Sequence, residues 1–165
     1  MIGIIGAMDA EIEMYKEHLT KIKEITYKKL TFYKGKIQGK DVVIVKSGVG
    51  KVFAAMVCQY LIDNFQVKMV LFTGVGGSLN PLLEIGDAVI SIDSAHHDFD
   101  AIALGFPRGN ISYTNYRFFQ ADKKLVQLAL GTKLNGHKII TGRILTGDQF
   151  LTHKEKGEHR YLVEE

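Results

Sequence analysis

Met1-Ile2-Gly3-Ile4-Ile5-Gly6 opens the chain, an apolar, β-branched run that ends on glycine and passes at once into a polar, periodic stretch. That reads as a buried strand handing the chain to a helix. The pattern recurs: residues 41–46 run into Ser47-Gly48-Val49-Gly50, residues 68–73 into Gly74-Val75-Gly76-Gly77, and residues 138–145 into Thr146-Gly147-Asp148. Residues 87–93 are a further strand. Residues 30–37 and 41–46 predict a hairpin turning at Gln38-Gly39. Between the strands, residues 9 to about 23 carry Ile12, Tyr15, Leu19 and Ile22 at helical spacing. Acids lie in their first turns and Lys21 and Lys23 at their end, which predicts an amphipathic helix. Residues 51–64 are apolar nearly all round and predict a buried helix; residues 120–130 and 154–163 predict two more. Residues 95–116, with Gly105, Pro107 and Gly109, read as a long functional or interface loop. Strands alternating with helices, several ending in glycine, indicate an α/β sheet with parallel pairs and a hairpin portion. In such sheets the site lies beyond the carboxyl ends of the strands, here the turns after Ile5, Lys46, Thr73, Ser94 and Leu145.

Composition narrows the class. The chain has 165 residues, 46% hydrophobic and 24% charged, which is one domain's worth (1–165) with a real core. A formal net charge of only +3 leaves no electrostatic footprint for nucleic acid or an anionic membrane surface. One cysteine excludes an intrachain disulfide and points to a reducing compartment. No apolar run approaches the roughly 20 residues that span a bilayer. The opening run is too short for a signal-peptide core and lacks a basic flank. A soluble, cytoplasmic globular protein is expected.

Most motifs fail their tests. Ser47-Gly48-Val49-Gly50-Lys51 lacks the leading glycine of a phosphate loop, and Val52 replaces its Ser/Thr. Gly74-Val75-Gly76-Gly77 has Leu79 where a dinucleotide fingerprint needs its third glycine. His96, His97, Asp98 and Asp100 match no common zinc spacing, and His153 and His159 do not form HExxH, so no metal and no cofactor are expected. Asn110-Ile111-Ser112 is a formal sequon without a secretory context. Cys58 has no basic neighbour and reads as core. Glu11 is different. It sits in the first helical turn, about 100° round from Ile12, at the border of the apolar stripe. A carboxylate there either complements the helix dipole or points into a cleft as a general base.

In order, the chain shows Gly3-Ile4-Ile5-Gly6-Ala7-Met8 with Glu11, then Lys46-Ser47-Gly48-Val49-Gly50-Lys51-Val52, then Thr73-Gly74-Val75-Gly76-Gly77. Gly86-Asp87, His97-Asp98 and Thr146-Gly147-Asp148-Gln149-Phe150 follow. The series resembles the 5'-methylthioadenosine/S-adenosylhomocysteine nucleosidases of the nucleoside phosphorylase superfamily. The resemblance implies a three-layer sandwich with a mixed, mostly parallel central sheet flanked by helices. It implies hydrolysis of the N-glycosidic bond of 5'-methylthioadenosine and S-adenosylhomocysteine, with water as co-substrate, releasing adenine and a 5-thio-ribose, and a place in methionine salvage. It gives Glu11 the task of activating water, and sets Met8 beside the ribose, Val49 near the base, and Val75 and Gly76 at the ligand. Phe150 would stack on adenine, and the main chain of Leu151 would bond the ring edge. Ala101 and Leu104 would enter a partner's alkylthio pocket, implying a homodimer. Phosphorolysis is disfavoured, because residues 6–15 hold no basic side chain for phosphate. Two departures stand out. Val75 occupies a position where the family usually has Ser. The match also stops before the family's ribose-gripping Met-Glu pair and the Asp that assists protonation of adenine. The alternatives are an impaired or inactive adenine-nucleoside binder, or a hydrolase of a related 6-substituted purine nucleoside.

Overall fold

β1 (Ile2–Gly6) is buried on both faces, and the chain around it is built to cover them. In this computed structural model, which describes residues 1–152, the chain forms two compact units, Met1–Gly76 and Gly77 onward. In the first unit, α1 (Asp9–Glu17) is followed by β2 (Thr20–Tyr27), β3 (Leu30–Ile37), β4 (Lys40–Lys46), α2 (Lys51–Phe65) and β5 (Met69–Phe72). The sheet order is β2-β3-β4-β1-β5, with β1 parallel to both β4 and β5 and the β2-β3-β4 portion antiparallel.

The two-residue period of the strands divides their side chains into two cores. Ile4, Val42 and Ile44 pack with Ile12 and Leu19 on one face; Ile5, Val43 and Val45 pack with Phe32, Val57 and Leu61 on the other. The first core takes Ile12 from α1 and the second takes Val57 and Leu61 from α2, so this unit has the three layers the resemblance implies. Each buried aliphatic side chain contributes about 1.5–3 kcal/mol of burial free energy. The hairpin turns at Gln38 (φ 48°) and Gly39 (φ 79°), the two left-handed residues of a tight primed turn.

Two expectations are corrected. The helix predicted to about Lys23 ends at Glu17, and the following residues form β2. A bulge at Lys21 (φ 53°) breaks the alternation of β2, so Leu19, Ile22 and Ile25 fall three apart, a spacing a helix also gives. The predicted buried helix is α2, but it buries only Val57 and Leu61; Val52, Phe53 and Met56 are exposed. A helix lying on an outer layer has one face to bury, whatever its composition.

β2 is an edge strand of its sheet. Lys23 stands opposite Lys34, and Lys21, Lys23, Lys34 and Lys36 line a shallow depression of about 250 Å³.

The second unit contains β6 (Ala88–His96), a single 3-10 turn (Ile102–Leu104), β7 (Phe119–Gln120), α3 (Lys123–Leu130) and β8 (Ile139–Thr146). Its sheet order is β7-β6-β8, with β6 and β8 parallel. α3 starts later than predicted, because Asp122 caps it by accepting the Lys124 and Leu125 N–H groups. The helix predicted over 154–163 lies outside the described residues. At a bulge in β6, buried Asp93 binds Arg143 of β8 through two hydrogen bonds of 2.6 and 3.1 Å. The guanidinium also lies 3.7 Å over the Phe118 ring. The Arg143 bond holds the Asp93 carboxyl below its usual range, against the opposing effect of burial.

Candidate functional site

The parallel run β4-β1-β5 brings three glycine-bearing loops to one end of the first sheet. The ladder continues past the strands: Ser47 N–H donates to Gly6 O (2.9 Å) and Thr73 N–H to Ile5 O (3.0 Å). The loop after β4 turns into α2 through Gly50, whose φ of 110° suits only glycine. Met8, Glu11, Val49, Val75 and Gly76 all belong to these loops or to the first turn of α1.

Glu11 is the polar centre of this end. Its Oε2 accepts the N–H groups of Ala7 (2.6 Å) and Met8 (3.0 Å), and its Oε1 accepts that of Val75 (2.9 Å). The Met8 bond is half of a capping box, since Met8 is the N-cap of α1 and Glu11 its third residue. A cap alone would explain that bond. It does not explain the Val75 bond, which reaches from the loop after β5 and is 64 residues away in sequence. Two absent side chains make room for this geometry. A Cβ on Gly74 would stand 2.6 Å from Glu11 Oε1, and one on Gly6 would stand 2.7 Å from Ile12 and 2.9 Å from Glu11 Cβ. A carboxylate offers about four acceptor positions, two on each oxygen. Three are filled by these N–H groups, and the remaining one is on Oε1.

Lys46 reaches from the end of β4 to Asp9 (2.7 Å), an exposed pair worth little in stability. Ser47 is buried, its hydroxyl donating to Gly48 O (2.8 Å). Thr73 Oγ1 is buried with no hydrogen-bond partner among the described residues. Val49 and Val75 expose their side chains, Met8 less so.

In the second unit the parallel pair β6-β8 sends residues 97–118 and 147–152 out at one end. His97 N–H closes the ladder on Thr146 O (2.9 Å), and Asp98 Oδ2 accepts the Asp148 N–H (2.8 Å). Phe150 follows, 91% exposed, with Leu151 half-buried beside it. Asp100 accepts the Ile102 N–H (3.0 Å) and pairs with Arg108 (2.7 Å), folding the loop that bears Ala101 and Leu104. Leu104 and Ile102 are exposed, whereas Ala101 is buried. Among the described residues, no three His, Cys, Asp or Glu side chains are grouped to hold a metal. The side chains of Asp98 and Asp100 bind backbone N–H groups and Arg108.

Sequence reasoning singled out Glu11 but not its hydrogen-bond partners. The N–H groups of Ala7 and Val75 carry no residue signature. At Val75 the backbone, not the side chain, reaches Glu11.

The model of the Phosphorylase superfamily matches residues 1–162. A 5'-methylthioadenosine/S-adenosylhomocysteine nucleosidase of Colwellia psychrerythraea is 40% identical over 159 residues, covering 93% of this chain and 65% of the relative. The crystal structure of a nucleosidase of that name from the same organism, in complex with adenine, superposes with a TM-score of 0.91 at 38% identity, covering 97% of this chain and 67% of the other. The Neisseria meningitidis nucleosidase with methylthio-immucillin-A gives 0.90 at 32% identity, covering 97% and 70%. The present chain thus spans about two thirds of the length of these relatives. With its mixed sheet, flanking helices and glycine loops accounted for, the chain belongs to the phosphorylase superfamily, in the family of the 5'-methylthioadenosine/S-adenosylhomocysteine nucleosidases.

Proposed function

We propose that this protein hydrolyses the N-glycosidic bond of 5'-methylthioadenosine and S-adenosylhomocysteine, giving adenine and a 5-thio-substituted ribose. The observation that carries this reading is the Glu11 carboxylate, held by three N–H groups from two loops with one acceptor position left on Oε1. A water donating to that position is oriented and partly deprotonated. As the bond from the anomeric carbon to adenine breaks, its electron pair leaves with the base and positive charge develops on the ribose. The water oxygen bonds the anomeric carbon and its proton passes to Glu11. The departing base takes up a proton from solvent, to which Glu11 returns its own, so that neutral adenine is released and the carboxylate restored. Met8 would border the ribose, Val49 and Gly76 the base and water, and Phe150 the adenine face. The Leu151 main chain would meet the ring edge. Val75 has no hydroxyl to offer the ligand, but its N–H keeps the link to Glu11.

The names of the relatives and the adenine in the Colwellia complex support the substrate class. The family match running through residues 1–162 supports treating both units as one domain. Exposed Leu104 and Ile102 support the reading of the 95–116 loop as a homodimer element. No helix among the described residues is long and apolar enough to cross a membrane. We place the activity in the cytoplasm, in methionine salvage.

The test is adenine release from methylthioadenosine in phosphate-free buffer. The protein should release adenine, and Glu11→Gln should lower the rate by about 10²–10⁴ while the fold persists. Full activity in that variant would falsify the base assignment. Tight binding of methylthioadenosine without adenine release would leave a nucleoside-binding protein.

A further inference from the structure

The motif His97-Asp98 has no role in the chemistry above, yet it meets the other unexplained motif, Gly147-Asp148, at the site end of β6-β8. The contact has two parts. Asp98 Oδ2 accepts the Asp148 N–H at 2.8 Å. Gly147 lies against the imidazole of His97, so closely that a Cβ there would clash with Nε2 and its neighbouring ring carbons. His97 is itself buried at 7% exposure. Two residues beyond Asp148 stands Phe150, 91% exposed. A ring so exposed is not held by its own packing; its position is set by the backbone that carries it.

The opposite end of the same strand pair provides an internal control. There Asp87 accepts the N–H groups of Glu84 (3.0 Å) and Lys138 (2.8 Å), and a Cβ on Gly86 would strike His137. The device is the same, a glycine against a histidine and an aspartate on a neighbouring N–H. At that end it only joins the strands.

We propose that Asp98, braced by the His97–Gly147 contact, is a positioning residue for base recognition. It sets where the backbone leaves β8 and so where the Phe150 ring and the Leu151 main chain meet the purine. The inference rests on the reading of residues 150–151 as the adenine-recognition segment.

Adenine itself is the probe, titrated calorimetrically into the full chain. Asp98→Ala should weaken adenine binding on the order of tenfold, through lost orientation. Asp98→Asn keeps an acceptor oxygen and should restore most of the affinity. Asp87→Ala should lower the thermal midpoint and leave adenine affinity unchanged. Parent-like adenine binding by Asp98→Ala overturns the inference alone, as does an equal loss in Asp87→Ala. If the parent binds no adenine, the functional reading falls and the inference with it. A measurement on the unaltered protein stands even if Asp98→Ala does not fold. Saturating adenine should slow hydrogen exchange at the Asp148 N–H, and an unchanged rate overturns the proposal.

Discussion

Glu11 and Phe150 are anchored by different means. The carboxylate of Glu11 is fixed by backbone N–H groups of its own unit, where the buried polar side-chain atoms described are the neutral hydroxyls of Ser47 and Thr73. Phe150 rides on a strand pair joined by side-chain carboxylates: Asp87 at one end, Asp93 with Arg143 midway, Asp98 at the other. The sheet of the first unit is held between two apolar cores, whereas Asp87 and Asp93 link the strands of the second through their ionised carboxylates. The first unit, which bears Glu11, should therefore keep its architecture under acid conditions that loosen the strand pair bearing Phe150.

The largest expected effect follows from that contrast. Asp93→Ala strips Arg143 of its carboxylate and should destabilise the second unit by about 3 kcal/mol, read as lost amide protection in β6 and β8. Acid should act in the same direction. Asp93 and Asp87 are held below the ordinary carboxylate range, the first by Arg143, the second by the Glu84 and Lys138 N–H groups. Because folding lowers both values, their stabilisation is complete above the unfolded value of about 4 and declines as pH falls through the folded ones. Hydrogen exchange between neutral and strongly acidic pH should show β6 and β8 opening before β1 and β4. The reverse order would remove the contrast.

A smaller effect probes the first unit. Gly74→Ala should displace the Glu11 carboxyl from the Val75 N–H and lower adenine release about a hundredfold, roughly 2.7 kcal/mol, with little change in thermal midpoint. Unchanged turnover would mean that the close approach at Gly74 has no part in the reaction. The smallest effect is that of Phe150→Ala, which should weaken adenine binding about tenfold through lost stacking, with the fold unaffected because the ring packs on so little.

How legible each feature was depends on what carried it. The strand-glycine pattern was readable, because buried β-branched runs and close-packed turns restrict residue type. So was Glu11, whose place relative to Ile12 follows from helix geometry. β2 was not, because one left-handed lysine changes a period of two into a period of three. Nor was the exposure of α2, since composition reports that a helix can be buried, not on how many sides. The Val75–Glu11 and Asp148–Asp98 bonds were hidden for another reason. Each uses a main-chain donor that every residue but proline possesses, so only the folded distance reveals it.

The lysine-lined rim at β2 has a consequence for behaviour in concentrated solution. An open strand edge invites a neighbouring molecule to extend the sheet, and repeated extension builds fibrils. Here an approaching copy would have to set its own cationic rim against Lys21 and Lys23 and match a kinked backbone. Ribbon-like self-association along that rim is thereby opposed by electrostatic repulsion and by shape.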